Sequence, residues 1–409
     1  MVQHFPTWRK ILNVKLTFNV LNLSYNILVF VVFYCVLHYN IYNSCSQVRN
    51  IMGKVSGLLD FLEKVTNREY LLIAKDFQDN EPSVRTNSIV KDFMDLIGAF
   101  PTKSKIDTLL NDDICEYIEQ NYEFIYSCVY QRQLKNSKKE QEIEIFYRGV
   151  SDEKHLLVPG LYRDREKHDE NYYFNEINVR CPEIFRNFNN LEKLTYMQHY
   201  GCPTRLLDIT SNPLVALYFA CLNDSNKDGA VDIFAVDSNE ILYSNSDRIK
   251  MLAKLAEFKE GEQRKLRLLS YRYLLDGKFP KSTNTKYQDS IVERYYQAIR
   301  RENVAFEREL QPIDILRPQF VQPNKDNPRI LKQDGAFIIS GLNANAVESD
   351  MKIKKHLVLH LVIDGSSKKK ILDELEIIGI NQATLFPEVD KVADYLRNKK
   401  KGIRYKSPI

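Results

Sequence analysis

Between Gln198 and Ser211 the chain crowds together side chains able to grip a small ligand: Gln198, His199, Thr204, Arg205, Asp208, Thr210 and Ser211. Amide, imidazole, hydroxyl, guanidinium and carboxylate stand in one stretch, beside Gly201, Pro203 and Pro213. An apolar run, Leu214 to Ala220, follows at once. Polar groups on a turn that leads into a buried helix are a means of holding a ligand against a rigid scaffold. Each residue also has a structural alternative. Arg205 and Asp208 can pair across the turn, and Gln198 and His199 can satisfy backbone groups at a helix end. Thr210 and Ser211 are good helix N-caps whatever the function. Tyr218 and Phe219 read as core.

Other chemistries find little support. No Cys-x-x-Cys pair occurs among the seven cysteines, which argues against a disulfide framework and against a zinc site. His356 and His360 alternate on one apolar run with no third ligand near, so they read as exposed strand residues, and no metal is expected. Phosphate-binding glycine loops of the dinucleotide or P-loop type are absent, which speaks against a Rossmann dehydrogenase or P-loop NTPase. A net charge of +4 gives no reason to expect a nucleic-acid partner from composition. An apolar share of 44% and a charged share of 27% are those of a globular chain.

The elements that must position these residues follow from periodicity. Residues 54–135 repeat apolar positions at helical spacing, with Leu58, Leu59, Phe61, Leu62 and Val65 on one face. Glu142–Tyr147 alternates polar and apolar and predicts a strand ending at Arg148. Helices are expected over 171–187 and 190–200, the second capped by Gly201, and another from Pro213 with Asn212 or Ser211 as its cap. Strands are expected at 230–236, 313–316, 336–339 and 356–363, and helices near 366–377 and 388–398. Residues 247–301, helical and heavily charged, read as an insertion or helical lobe. The expected fold is α+β: a mixed or antiparallel sheet flanked by helices, behind a helical N-terminal region over 52–140. Residues 398–409 read as a basic, solvated tail.

The first 51 residues leave alternatives open. Leu16 to Val48 has no charged residue, so a single-pass anchor over 16–40 is one reading. A start at Met52 and a packed apolar helix are the others. A cytoplasmic protein is expected, with membrane association only if residues 1–51 are made.

Several runs, in order, resemble the FRG domain, a bacterial family named after a Phe-Arg-Gly motif. Phe146-Tyr147-Arg148-Gly149 stands at that motif, with Tyr147 replacing the Phe. Leu157, Pro159, Leu161, Tyr162 and Arg163 match a Leu-Pro-x-Leu-Tyr-Arg run, with Val158 inserted. Gln198 to Ala220 matches the family core. Arg329-Ile330, Gln333, Gly335 and Phe337 match a downstream run, and Glu374-Leu375, Gly379-Ile380 and Thr384 to Pro387 match its end. The resemblance spans roughly 141–397.

A looser resemblance, to ADP-ribosyltransferases, rests on the order of an Arg, a Thr-Ser pair before a helix, and a later Gln or Glu. It implies an ADP-ribosyltransferase-like core and NAD as substrate, with an acceptor that is a protein or a nucleic acid, in a toxin or anti-phage effector. Cleaving the nicotinamide–ribose bond passes through a cation, so the site must grip phosphates, fix the ribose and stabilise positive charge. The resemblance gives the phosphates to Arg148, whose planar fork binds two oxygens at once. It gives the ribose to Thr210 and Ser211, and the third position to Gln333, with Glu307 and Glu309 as rivals. Tyr147, Gly149, Gln198, His199, Thr204, Arg205 and Asp208 are then expected around the bound cofactor. The alternative is a module that binds a nucleotide or a protein without catalysis.

Overall fold

The computed structural model describes residues 54–66, 142–163, 169–222, 226–274, 279, 291–306 and 310–402. The apolar segment 1–51, most of the region 52–140, Glu307, Glu309 and the end of the basic tail lie outside the described residues.

Strands β1 (Ile143–Val150), β2 (Leu206–Thr210), β3 (Gly229–Asp237), β4 (Ile241–Tyr243), β5 (Gln319–Gln322), β6 (Gly335–Ile339) and β7 (Leu357–Ile363) hydrogen-bond in the order β4-β5-β6-β2-β1-β3-β7. Every neighbouring pair is antiparallel except β4 with β5, so the sheet is mixed and the chain is α+β. β1 and β3 pair over their length, from Ile143↔Asp237 to Val150↔Ala230. β1 and β2, by contrast, share the single position Tyr147↔Thr210.

The longer helices are α1 (Leu58–Thr66), α2 (Glu170–Arg180), α3 (Asn190–His199), α4 (Pro213–Cys221), α5 (Asp247–Lys254), α6 (Glu260–Arg272), α7 (Ile291–Glu302), α8 (Ala346–Lys354), α9 (Lys368–Ile377) and α10 (Val389–Gly402). α3 starts at a capping box between Asn189 and Glu192. It ends before Gly201, whose φ of +86° lies in the left-handed region where glycine is at ease. α4 begins with Pro213, and the Asn212 side chain accepts from Leu214 N, as expected of that start. Its sequence, Pro-Leu-Val-Ala-Leu-Tyr-Phe-Ala-Cys, has no polar face, and the helix is correspondingly buried.

Side-chain alternation divides the core between the two faces of the sheet. Leu206, Phe337 and Ile339 join a large cluster with residues of α2, α3, α5, α6 and α7. Leu207, Ile209 and Ile338 join a smaller one with Phe146, Phe234, Phe320, Leu157 and Ile353. Residues 247–301 therefore do not stand apart as a lobe. Their charges mask an apolar side (Ile249, Leu252, Leu266, Leu269, Tyr295) that supplies much of the larger cluster.

Two expected elements are corrected. Residues 313–316 are a short helix, Pro312–Leu316, because Pro312 fits the first helical position, and the strand comes later at β5. Leu59 is 81% exposed, while Phe61 and Val65 are buried, so the inner face of α1 is narrower than the apolar pattern suggests.

Candidate functional site

Arg148 leaves β1 one residue after the seam with β2. Successive strand side chains alternate, so it emerges on the face opposite Tyr147 and Thr210. Its Nη1 donates to the backbone carbonyl of Asp208 at 2.6 Å, across the gap that the single ladder position leaves open. The bond is to the main chain of Asp208, not to its carboxylate. The Arg148 Nε is buried and has no hydrogen-bond partner. Burial lowers the Arg148 pKa from its ordinary value, with Asp208 opposing the shift and Arg163 adding to it. A guanidinium remains charged regardless.

Beside Arg148 a cavity of about 250 Å³ opens at the end of β1, lined by Ser151, His155, Arg163, Phe219 and Leu222 among others. Gly149 lies on its wall for a packing reason. A Cβ there would meet the Ala216 carbonyl oxygen at 1.8 Å, so only glycine lets α4 press onto β1 this closely. Asp208 is the exposed middle residue of β2, a strand whose other four residues are buried. A central strand showing one carboxylate to solvent marks an opening in the layer that covers it.

The Thr210 and Gln333 end of the site is built around one turn. Thr210 Oγ1 donates to the Gln333 carbonyl at 2.7 Å and accepts from Asn212 N at 2.9 Å. Ser211 N donates to the Asp334 carbonyl at 3.1 Å, and Asn212 Nδ2 to the Asp334 carboxylate at 3.1 Å. Asp334 has φ 45°, a strained conformation for a non-glycine residue, and these bonds hold it there. The Gln333 side chain reaches away to the Leu385 carbonyl at 3.0 Å. Tyr147, Thr210 and Gly335 are cross-strand neighbours, so the three motif segments do adjoin. The cavity at Arg148, however, is lined by none of Thr210, Ser211 and Gln333.

The remaining expected site residues fall elsewhere. Arg205 is wholly buried and forms a forked ion pair with Glu170, its Nε lying 2.9 and 3.1 Å from the two carboxylate oxygens. Its other nitrogens reach the Ser340 carbonyl and Gln263 Oε1. Arg205 thus ties α2 and α6 to the end of β6, and the partner expected for it, Asp208, is not its partner. Thr204 is 1% exposed and donates to the Gln198 side chain, so these two satisfy each other. His199 meets Glu388 at 3.0 Å. Burial, then Arg329, lowers the His199 pKa, which keeps the ring neutral at neutral pH. Residues 385–388 cover this corner: Phe386 packs edge-on to Phe219 and under the Arg329 guanidinium.

Three groups were not assigned from sequence. Arg163, quoted above only as a motif residue, and His155 both line the cavity. Asp232, 2% exposed, sits between Arg148 and His360 in the cross-strand register and meets His360 Nδ1 at 2.5 Å. A charge inside the apolar run Ala230–Val236 was its available signal. The two histidines are accordingly not exposed strand residues. His360 is partnered, and burial, then Arg317 and Lys355, pushes the pKa of half-buried His356 down to about 4.

Among the described residues, no helix is long and apolar enough to cross a membrane. No curated protein matches the chain, and no solved structure does. One family matches: the model of the FRG domain aligns with residues 143–229, from β1 to the start of β3 and across both Arg148 and Asp208, so the chain carries an FRG domain.

Proposed function

We propose that this FRG domain binds NAD, with the diphosphate at Arg148, and serves transfer of ADP-ribose to a protein or nucleic-acid acceptor. The observation that carries the reading is Arg148 itself. Its buried Nε has no partner, it lines a cavity, and its bond to Asp208 leaves the carboxylate of Asp208 uncommitted by that contact. In the reaction the C–N bond between ribose and nicotinamide breaks, and nicotinamide leaves with the bonding pair. The ribosyl cation then takes an acceptor lone pair, and the acceptor gives up a proton. Asp208, exposed on β2, shares the Thr210 face of the sheet, opposite Arg148, and is absent from the cavity lining, so we do not assign it to that cation. Thr210 and Gln333 then act by holding the β2–β6 turn in shape.

A second reading, a nucleotide-binding module without catalysis, is favoured by one observation. The side chains of Thr210 and Gln333 are already engaged within the fold. Calorimetry with NAD on wild type, Arg148→Lys and Arg148→Ala tests binding, and nicotinamide release tests turnover. Lysine keeps the charge and loses the fork, so both variants are expected to lose about 10- to 150-fold in affinity. Unchanged affinity in Arg148→Ala removes the assignment. Tight binding with no nicotinamide released selects the second reading.

A further inference from the structure

We infer that the cavity at the end of β1 is a two-arginine site for the phosphate of a nucleotide, in which Arg163 shares the anion with Arg148 and His155 stands at the mouth. The inference rests on the reading of Arg148 as a ligand group and adds residues and a ligand class to it. Arg148 and Arg163 both line the cavity, and the side chains lining it include no carboxylate. Among the described residues neither arginine forms an ion pair. Arg163 Nε donates to the Val158 carbonyl at 3.0 Å, which anchors its stem and leaves its exposed end at the opening. Asp208 and Asp232 favour the Arg148 charge from outside the cavity lining, and Asp232 also meets His360, so neither carboxylate occupies the space between the two arginines.

Two guanidinium groups facing one space repel each other, and a buried Nε without a partner adds a desolvation cost. An anion with several oxygens between them removes both penalties, and the planar forks favour phosphate over a single-point acceptor. Size narrows the class further. A cavity of about 250 Å³ lies below the range of about 300–1,000 Å³ that takes a whole drug-sized ligand. It suits a phosphate with the adjoining sugar, while Phe219 and Leu222 supply an apolar wall and the rest of the nucleotide extends outward.

The test is calorimetric titration of the protein with inorganic pyrophosphate, ADP-ribose and NAD, on wild type, Arg163→Ala, Arg163→Lys and Arg148→Ala, with the melting temperature of each. Arg163 is exposed, so its variants should melt with wild type. Arg163→Ala is expected to weaken pyrophosphate and ADP-ribose by about 10- to 100-fold, with Arg163→Lys between it and wild type. If wild type binds neither pyrophosphate nor ADP-ribose, or if Arg163→Ala binds them as wild type does, the inference is overturned. Pyrophosphate binding that needs both arginines, without NAD binding, supports the inference and removes the NAD reading. NAD binding lost in Arg148→Ala but kept in Arg163→Ala does the opposite.

Discussion

Arg205→Met should cost this protein stability and leave ligand affinity alone. The Arg205 side chain is 0% exposed and that of its partner Glu170 is 2% exposed. Methionine fills a similar width but strands the Glu170 carboxylate in a dry interior and leaves the Ser340 carbonyl and Gln263 amide short of a donor. Breaking a buried pair from one side costs about 3–5 kcal/mol. For a large domain about 2 °C of melting temperature goes with each kcal/mol, so the expected drop is roughly 6–10 °C. Glu170→Leu should fall in the same range, since it leaves the guanidinium uncompensated. The double variant Glu170→Leu, Arg205→Met should be more stable than either single one, because no lone charge remains. Urea midpoints for the four proteins measure this cycle. Additive losses, or a single variant within about 1 kcal/mol of wild type, would refute the buried-pair reasoning. A variant that folds normally but loses NAD would return Arg205 to the ligand.

Gly149→Ala should destabilise by about 3 kcal/mol or more in thermal melts, since the added carbon meets main-chain atoms of α4 that cannot rotate away; a melt equal to wild type counts against that packing. Asp208→Asn should stay within about 0.5 kcal/mol of wild-type stability, as an exposed strand position, and leave nicotinamide release unchanged, since its side chain lies on the face away from Arg148; lost turnover would bring Asp208 into the chemistry. His356 predicts an acid limb. Its folded pKa of about 4 lies below the ordinary 6.5, so the unfolded chain takes the proton first. That contribution is intact above pH 6.5 and is lost as pH falls toward 4, by up to about 3 kcal/mol. Urea midpoints of His356→Gln should show a shallower fall over that window, and an unchanged slope would assign the limb to other groups.

Much of the framework was legible in the sequence because single residues announce it. Pro213 with Asn212, and Gly201, mark helix ends by their own backbone preferences, and α4 is apolar on every side. What stayed hidden depends on partners far away in the chain. Glu170 gives no sign in sequence that it will meet Arg205, and heavy charge along 247–301 conceals an inward apolar side. The polar crowd at 198–211 looked like one site, yet Thr204, Gln198 and Arg205 are consumed by the fold. Only Asp208 and Ser211 of that group stand exposed within or just after β2. Polarity alone does not distinguish a side chain that serves a ligand from one that serves a buried neighbour.

The lone ladder position between β1 and β2 gives the sheet a hinge line. On one side lie β4, β5, β6 and β2, with Asp208; on the other lie β1, β3 and β7, with Arg148. A small twist about that line breaks few main-chain bonds, while it changes the spacing between Arg148 and β2. Two parts brace it: the Arg148 bond to the Asp208 carbonyl, and α4, which follows β2 in the chain but rests on Gly149 of β1. An anion that draws the guanidinium away from that carbonyl therefore loosens one brace as it binds. If the cavity takes the anion proposed above, its occupancy and the tilt of the two half-sheets would be coupled through these braces.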